Sequence, residues 1–198
     1  MISALTGLPG SGKSYQAVVN VILPALRAGR HVVTNVAVVP ERFSEEDLRS
    51  RLQIISNDEM VAPGFLPSLL PGSVVVLDEV WHLWPSGLRA LDVPIEQRKY
   101  LAEHRHQVNE QGDTTEIILI CQDLSQIAAF ARQLIETTSI ATKLSALGVS
   151  KRFRVDVYQG AVTGMRGPKS ALVSQSVRSY KKKYYSYYPS IPLFHLTA

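Results

Sequence analysis

The stretch "GLPGSGKS", Gly7 to Ser14, stands near the start of the chain and decides how the rest is read. It fits Gly-x-x-x-x-Gly-Lys-Ser, with Gly7, Gly12, Lys13 and Ser14 at the fixed positions. Glycines let the backbone take positive φ and come close to phosphate oxygens. Successive N–H groups then point inward as an anion nest, and the dipole of the helix that follows adds positive potential. Lys13 is placed to reach β- and γ-phosphates, and Ser14 to bind Mg²⁺. The candidate cofactor-binding set is Gly7, Pro9, Gly10, Ser11, Gly12, Lys13, Ser14 and Tyr15, and the expected cofactors are ATP and Mg²⁺. The pattern carries this meaning only between a strand and a helix. Before it, "MISALT" is short and mostly apolar. After it, "SYQAVVNVILPALRAG" places Ala17, Val18, Val21, Ile22 and Ala25 near a helical period. Pro24 predicts a kink late in that helix, and Gly29 its stop.

A second signal lies at "GSVVVLDEV". Four apolar residues, Val74 to Leu77, read as a strand buried on both faces, as in a parallel sheet. They end at Asp78-Glu79, the Walker B pattern. Asp78 and Ser14 are the expected metal-binding residues, and Glu79 is the group that polarises an attacking water. An acid directly after the Mg²⁺-binding Asp favours hydrolysis and an additional-strand ATPase. A further buried strand, "TEIILICQD" at 115–123, ends in Gln122, which is placed to sense the γ-phosphate or position the water.

The 198 residues suit one domain of ordinary size. Hydrophobic content of 45% and a mean hydropathy of +0.03 suit a soluble globular protein. No apolar run approaches the roughly 20 residues of a spanning helix. The N-terminus lacks the basic region of a secretion signal. The single cysteine, Cys121, sits in an apolar run and reads as a core thiol, in keeping with a reducing compartment. Charge is lopsided. Residues 1–142 carry 11 basic and 16 acidic side chains, while residues 143–198 carry 10 basic and one acid, Asp156. A basic C-terminal region suits nucleic acid, an anionic membrane or an acidic partner.

Strand and helix alternate through the first two thirds. "RHVVTNV" (30–36) reads as a strand. "RFSEEDLRSRL" (42–52) reads as a short helix capped by Ser44. "APGFLPSLLPGS" (62–73) reads as loop. "PIEQRKYLAEHRHQVNEQG" (94–112) reads as a helix stopped by Gly112, and "DLSQIAAFARQLIETT" as a helix capped by Asp123. Further on, "KRFRVDVYQG" (151–160) alternates, with Phe153, Val155 and Val157 inward and Arg152, Arg154, Asp156 and Tyr158 outward. "TTSIATKL" (137–144) is placed to pair with it through the "SALGVS" turn. The tail "SYKKKYYSYYPSIPLFHLTA" interleaves lysines and tyrosines. That composition suits a solvated terminus, a membrane surface or partner, or single-stranded nucleic acid. The expected architecture is a three-layered α/β P-loop NTPase with a mostly parallel sheet. It comprises a core at 1–136, a basic antiparallel extension at 137–179 and a tail at 180–198, the tail read as juxtamembrane.

The early phosphate loop, "VVVLDEV", "HRH" (104–106) followed by a strand ending in Gln122, and the late "YKKKYYSYYPS" together resemble the cytoplasmic domain of the zonula occludens toxin (Zot) family. That family includes assembly ATPases of filamentous phages. The resemblance implies an ATPase at the cytoplasmic face of the bacterial inner membrane, powering extrusion of phage single-stranded DNA. It also implies phage coat and assembly proteins as partners and a transmembrane helix beyond the Tyr-rich segment. A homo-oligomeric ring, with a hexamer as one candidate, is expected because a shared active site and a translocating strand both call for one. Arg105 is the candidate finger for a neighbour's γ-phosphate, with Arg98 and Arg132 as rivals. His104 and His106, two residues apart on a helix, point to different sides, which argues against a metal pair. Two rival readings are a nucleotide-gated docking module with little turnover and a small-molecule P-loop kinase; the Asp-Glu pair argues against the kinase.

Overall fold

The computed structural model describes residues 1–43, 46–144 and 152–188. Strand β1 (Ile2–Thr6) runs straight into the glycine loop. The chain then forms one helical rod: α1 (Lys13–Ala17), a π-helical segment (Val18–Ile22) and α2 (Leu23–Arg27). Pro24 explains the π segment. It has no N–H for an i−4 bond, and the wider i→i−5 turn, with Leu23 N–H on the Val18 carbonyl, absorbs the mismatch. The rod stops where expected. Gly29 takes φ 82, its N–H bonds the Leu26 carbonyl and the N–H of Arg30 bonds that of Ala25, a Schellman close.

Strand β2 (Val32–Thr34), α3 (Glu46–Ser50), β3 (Leu52–Ile54), α4 (Asn57–Val61) and β4 (Val74–Leu77) follow. After them come α5 (Ile95–Glu103), β5 (Glu116–Ile120), α6 (Ala129–Gln133), β6 (Thr137–Lys143), β7 (Arg152–Gln159) and β8 (Leu172–Ser179). The strands form one sheet in the order β3-β2-β4-β5-β1-β6-β7-β8. Pairs from β3 to β6 are parallel, and β6-β7-β8 are antiparallel. Strand β5 therefore lies between β1, which carries the glycine loop, and β4, which carries Asp78-Glu79. This is the additional strand that the acidic pair implied.

Alternation along the strands builds the three layers. Val75 and Leu77 of β4, with Ile117 and Leu119 of β5, face a core shared with α4, α5 and α6 through Met60, Leu101 and Ala131. Val74, Val76, Ile118 and Ile120 face the opposite core, closed by Val18, Ile22 and Leu26 of the rod.

Several expectations need correction. The helix expected over 94–112 ends in a 3-10 turn at His104–His106. Asn109 then closes a tight turn, its Oδ1 accepting from the N–H groups of Gln111 and Asp113, and Gly112 serves that turn at φ 86. The helix expected from Asp123 is split. Asp123 and Gln126 form a capping box on a 3-10 turn, but Ile127 bridges to Pro85, and α6 starts only at Ala129. Strand β7 is not half exposed: Tyr158 is buried against Ile140 and Val162, and Asp156 is buried between Arg154 and Gln175. Strand β8 adds an exposed edge that the sequence pattern does not announce. The "SALGVS" turn and the Ser44 cap lie outside the described residues.

The burial of Asp156 has a measurable consequence. Its Oδ2 lies 3.0 Å from Arg154 Nε, and its Oδ1 accepts from Gln175 Nε2 at 2.7 Å, joining β7 to β8. Asp156→Ala leaves a half-buried cation unpaired, and a loss of about 2–4 kcal/mol is expected in urea unfolding. Asp156→Asn, which keeps the Gln175 bond, should lose less.

Candidate active site

Three strand ends converge. The N–H of Gly7, at the end of β1, donates to the Gln122 carbonyl, just past β5, at 3.1 Å. Gly7, Gly10 and Gly12 all take positive φ, at 141°, 72° and 96°. Gly7 has no room for a side chain: a Cβ there would lie 2.4 Å from the Ala141 carbonyl oxygen of β6. Lys13 Nζ folds back over the loop, donating to the carbonyls of Gly7 at 2.7 Å and Leu8 at 3.3 Å. Ser11 Oγ is buried in the loop without a hydrogen-bond partner among the described residues. Pro9 and Gly10 form the exposed tip, and Ser14 is half-buried at the start of α1. A loop turned by three positive-φ glycines, a cation held only by carbonyls and an orphaned hydroxyl are what a polyphosphate would complete.

Burial lowers the pKa of Lys13, while Asp78 and Glu79 nearby push it back up. Burial raises that of Asp78, which the N–H of Glu79 opposes by donating to Oδ1 at 2.9 Å. So the acidic pair at the end of β4 lies within electrostatic reach of the loop lysine, and a carboxylate is kept partly desolvated where a divalent cation would be welcome. Asp78→Asn keeps the backbone bond and removes a costly buried charge. It is therefore expected to raise the melting temperature of the nucleotide-free protein by about 2–5 °C while weakening Mg²⁺-dependent nucleotide binding. Thermal melts with and without Mg-ATP check both halves.

Two anchoring residues carried no sequence signal. Asn35, just past β2, accepts from the Asp78 N–H at 2.6 Å and donates to the Asp78 carbonyl at 2.9 Å, fixing the acidic turn by its backbone. Trp81 donates its indole N–H to Glu79 Oε2. An Asn after a strand and a Trp after an acidic pair are too common in unrelated settings to have been singled out.

Tyr15 is turned away from the loop. Its hydroxyl accepts from the Lys181 N–H at 3.0 Å, and its ring meets Phe153, Tyr180, Tyr184, Tyr185 and Tyr188 edge-on. Tyr180 lies on Gly12 so closely that a Cβ there would stand 2.5 Å from its hydroxyl. The described part of the Lys/Tyr-rich tail is therefore packed against the rod. Of the Tyr15 groups, only the backbone is left to the loop's cradle.

Gln122 sits half-buried at the tip of β5, its N–H on Gln126 Oε1 and its side-chain amide free of hydrogen bonds among the described residues. Arg105 does not join the cluster. Its Nη2 lies 2.6 Å from Glu136 Oε2, and Glu136 Oε1 accepts from the N–H of Ile2, at the opposite end of β1. That is about 13 Å from the loop end of the strand at roughly 3.3 Å per residue. Arg132 donates to the Leu124 carbonyl at 3.3 Å, and Arg98 has a buried Nε with no hydrogen-bond partner among the described residues. His104 is a core residue with Nδ1 2.8 Å from the Leu101 carbonyl, while His106 is exposed, so the two do not face one ligand. Among the described residues no cluster of three or more His, Cys, Asp or Glu side chains could hold a metal ion, and no helix is long and apolar enough to cross a membrane.

Residues 1–192 match the family model for zonular occludens toxin (Zot). The chain belongs to the Zot family. The relatives of this Zot-family chain include the Gene 1 protein of Xanthomonas phage phiLf, 24% identical over 80% of the chain. A provisionally described assembly protein, ORF301, of Pseudomonas phage Pf3 is 36% identical over 54% of the chain. The matched regions span only 38% and 33% of those proteins. Among solved structures, the N-terminal domain of zonular occludens toxin from Neisseria meningitidis superposes with a TM-score of 0.62 at 21% identity, covering 94% of this chain and 97% of that one. The genome packaging NTPase of Sulfolobus turreted icosahedral virus 2, in complex with ATP-gammaS, gives 0.58 at 12% identity, with 90% and 96% covered. At these identities the likeness shows the fold, which is that of P-loop NTPases.

Proposed function

We infer that this Zot-family chain binds and hydrolyses Mg-ATP to drive phage assembly. The observation that carries the reading is the convergence of Lys13, Asp78 and Glu79 at the ends of two strands separated by β5. A desolvated lysine and an acidic pair facing one glycine cradle suit hydrolysis of a phosphoanhydride. The chain's own residues divide the work. Backbone N–H groups between Gly10 and Tyr15 hold the phosphates, and Lys13 balances charge that grows on the terminal phosphoryl group. Ser14 and Asp78 would hold Mg²⁺, which when bound draws charge from the β- and γ-oxygens. Glu79 polarises the attacking water, and Gln122, at the end of the adjacent strand β5, senses the γ-phosphate or orients the water.

The name of the Pf3 relative supports a place in phage assembly, and the packaging NTPase supports a nucleic-acid cargo. The proposed working form is a homo-oligomeric ring, a hexamer being one candidate, with phage coat and assembly proteins as partners and single-stranded DNA as cargo. Its proposed place is the cytoplasmic face of the inner membrane. The sheet from β6 onward and the Lys/Tyr-rich tail form its basic docking side, and the tail leads toward the membrane. A trans-acting arginine, with Arg105 as one candidate, completes each site from a neighbour. The docking of the tail on the rod favours a second reading, a nucleotide-gated module with little turnover.

Binding of a fluorescent ATP analogue with Mg²⁺ tests the shared first step. Wild type should bind, and Lys13→Ala should weaken binding at least about 50-fold. Equal binding by the two proteins would overturn both readings.

A further inference from the structure

Glu79 is an unusual residue in its backbone as well as its side chain. Among the described residues it is the one non-glycine position with positive φ, at φ 50 and ψ 44. A left-handed glutamate costs about 1–2 kcal/mol, so its surroundings must hold it there. Asn35 clamps the preceding peptide through Asp78, and the Glu79 carbonyl accepts from the His82 N–H at 3.0 Å. The resulting turn, Val80–His82, folds the side chain of Trp81 back over Glu79. The indole N–H meets Oε2. The indole is itself fixed, stacked on the His82 ring at 3.7 Å and 26° and packed against the core beneath. Oε1 carries no hydrogen bond among the described residues.

We propose that Trp81 is a positioning residue that aims the Glu79 carboxylate, holding one oxygen and leaving the other to meet the attacking water. The inference rests on Glu79 acting on water, as in the proposed function. Its chemistry is specific. A glutamate has three side-chain torsions, and a carboxylate that turns freely spends little time in the productive geometry. Indole is a donor only, so it can fix the carboxylate without competing for a proton. The turn that strains the backbone at Glu79 is the same turn that delivers the donor, so strain and positioning have one structural cause. A wall that merely filled space would need no N–H directed at Oε2.

Trp81→Phe keeps a ring over the turn and deletes the donor. It is expected to lower kcat about 10- to 50-fold, while the affinity for a fluorescent ATP analogue with Mg²⁺ stays within about twofold and the melting temperature holds. An independent readout needs no turnover. The chain has two tryptophans, so the amide spectrum holds two indole N–H resonances. The Trp81 resonance, assigned by its loss in Trp81→Phe, should move in Glu79→Gln while that of Trp84 stays put. A Trp81 resonance indifferent to Glu79→Gln would overturn the contact. An unchanged kcat in Trp81→Phe, or affinity lost in proportion to kcat, would overturn the positioning role. Wild type without turnover would instead remove the hydrolytic reading of Glu79 and the positioning role with it, and the resonance would still report whether the two side chains meet.

Discussion

Glu79→Gln is expected to leave Mg-ATP binding within about twofold of wild type and to cut turnover at least about 100-fold. The two side chains have nearly the same shape, and the amide oxygen can still accept from Trp81, so the turn after β4 survives. The amide cannot take up a proton or carry the charge that polarises water. Lys13, the glycine cradle and Asp78 are untouched, which is why affinity should hold. Single-turnover hydrolysis beside equilibrium binding separates the two effects. Equal turnover in variant and wild type would remove Glu79 from the reaction and favour the nucleotide-gated module.

The second large effect lies in the backbone. Gly7→Ala puts a methyl group where φ is 141° and where the Ala141 carbonyl oxygen stands 2.4 Å away. That oxygen belongs to β6, inside the sheet, and cannot swing aside as a flexible side chain would. The variant is expected to lose about 3 kcal/mol or more in urea unfolding, and nucleotide binding with it. Gly10→Ala is the fitting control. Gly10 has φ 72 but open space around it, so backbone strain alone should cost about 1–2 kcal/mol. Two glycines in one loop thus differ because one abuts the neighbouring strand and the other faces solvent. If Gly7→Ala proved as stable as Gly10→Ala, the close contact between the loop and β6 would be wrong.

The same contrast explains what could be read from the sequence. The spacing of Gly7, Gly12, Lys13 and Ser14 fixes a local backbone shape, and a local shape is legible. So are Val74 to Leu77 and the run at Ile117 to Ile120, because a strand buried on both faces needs consecutive apolar residues. The placement of β5 between β1 and β4 followed from chemistry, through the acid beside Asp78. The misreadings come from interactions distant in sequence or from side chains that override periodicity. Residues 94–112 look helical throughout, yet Asn109 supplies hydrogen bonds that compete with the helix. Strand β8 hides because its residues are almost all exposed and show no buried face. Asp156 reads as a surface acid until its partner, Gln175 on β8, is in place. Tyr15 belongs to the loop by sequence and to the tail by its side chain, a contact between residues 15 and 181 that no local pattern could announce. The "HRH" setting of Arg105 gives no hint of its contact with Glu136 at the far end of β1, although a reach to a neighbour's site stays open to it.

The most direct test of the account is steady-state Mg-ATP hydrolysis measured against protein concentration, with Lys13→Ala as the blank. The account predicts specific activity that rises with concentration, as neighbouring copies complete one another's sites, and that vanishes in the variant. Activity that stays flat at the level of the blank across the whole range would contradict a hydrolysing, self-assembling motor.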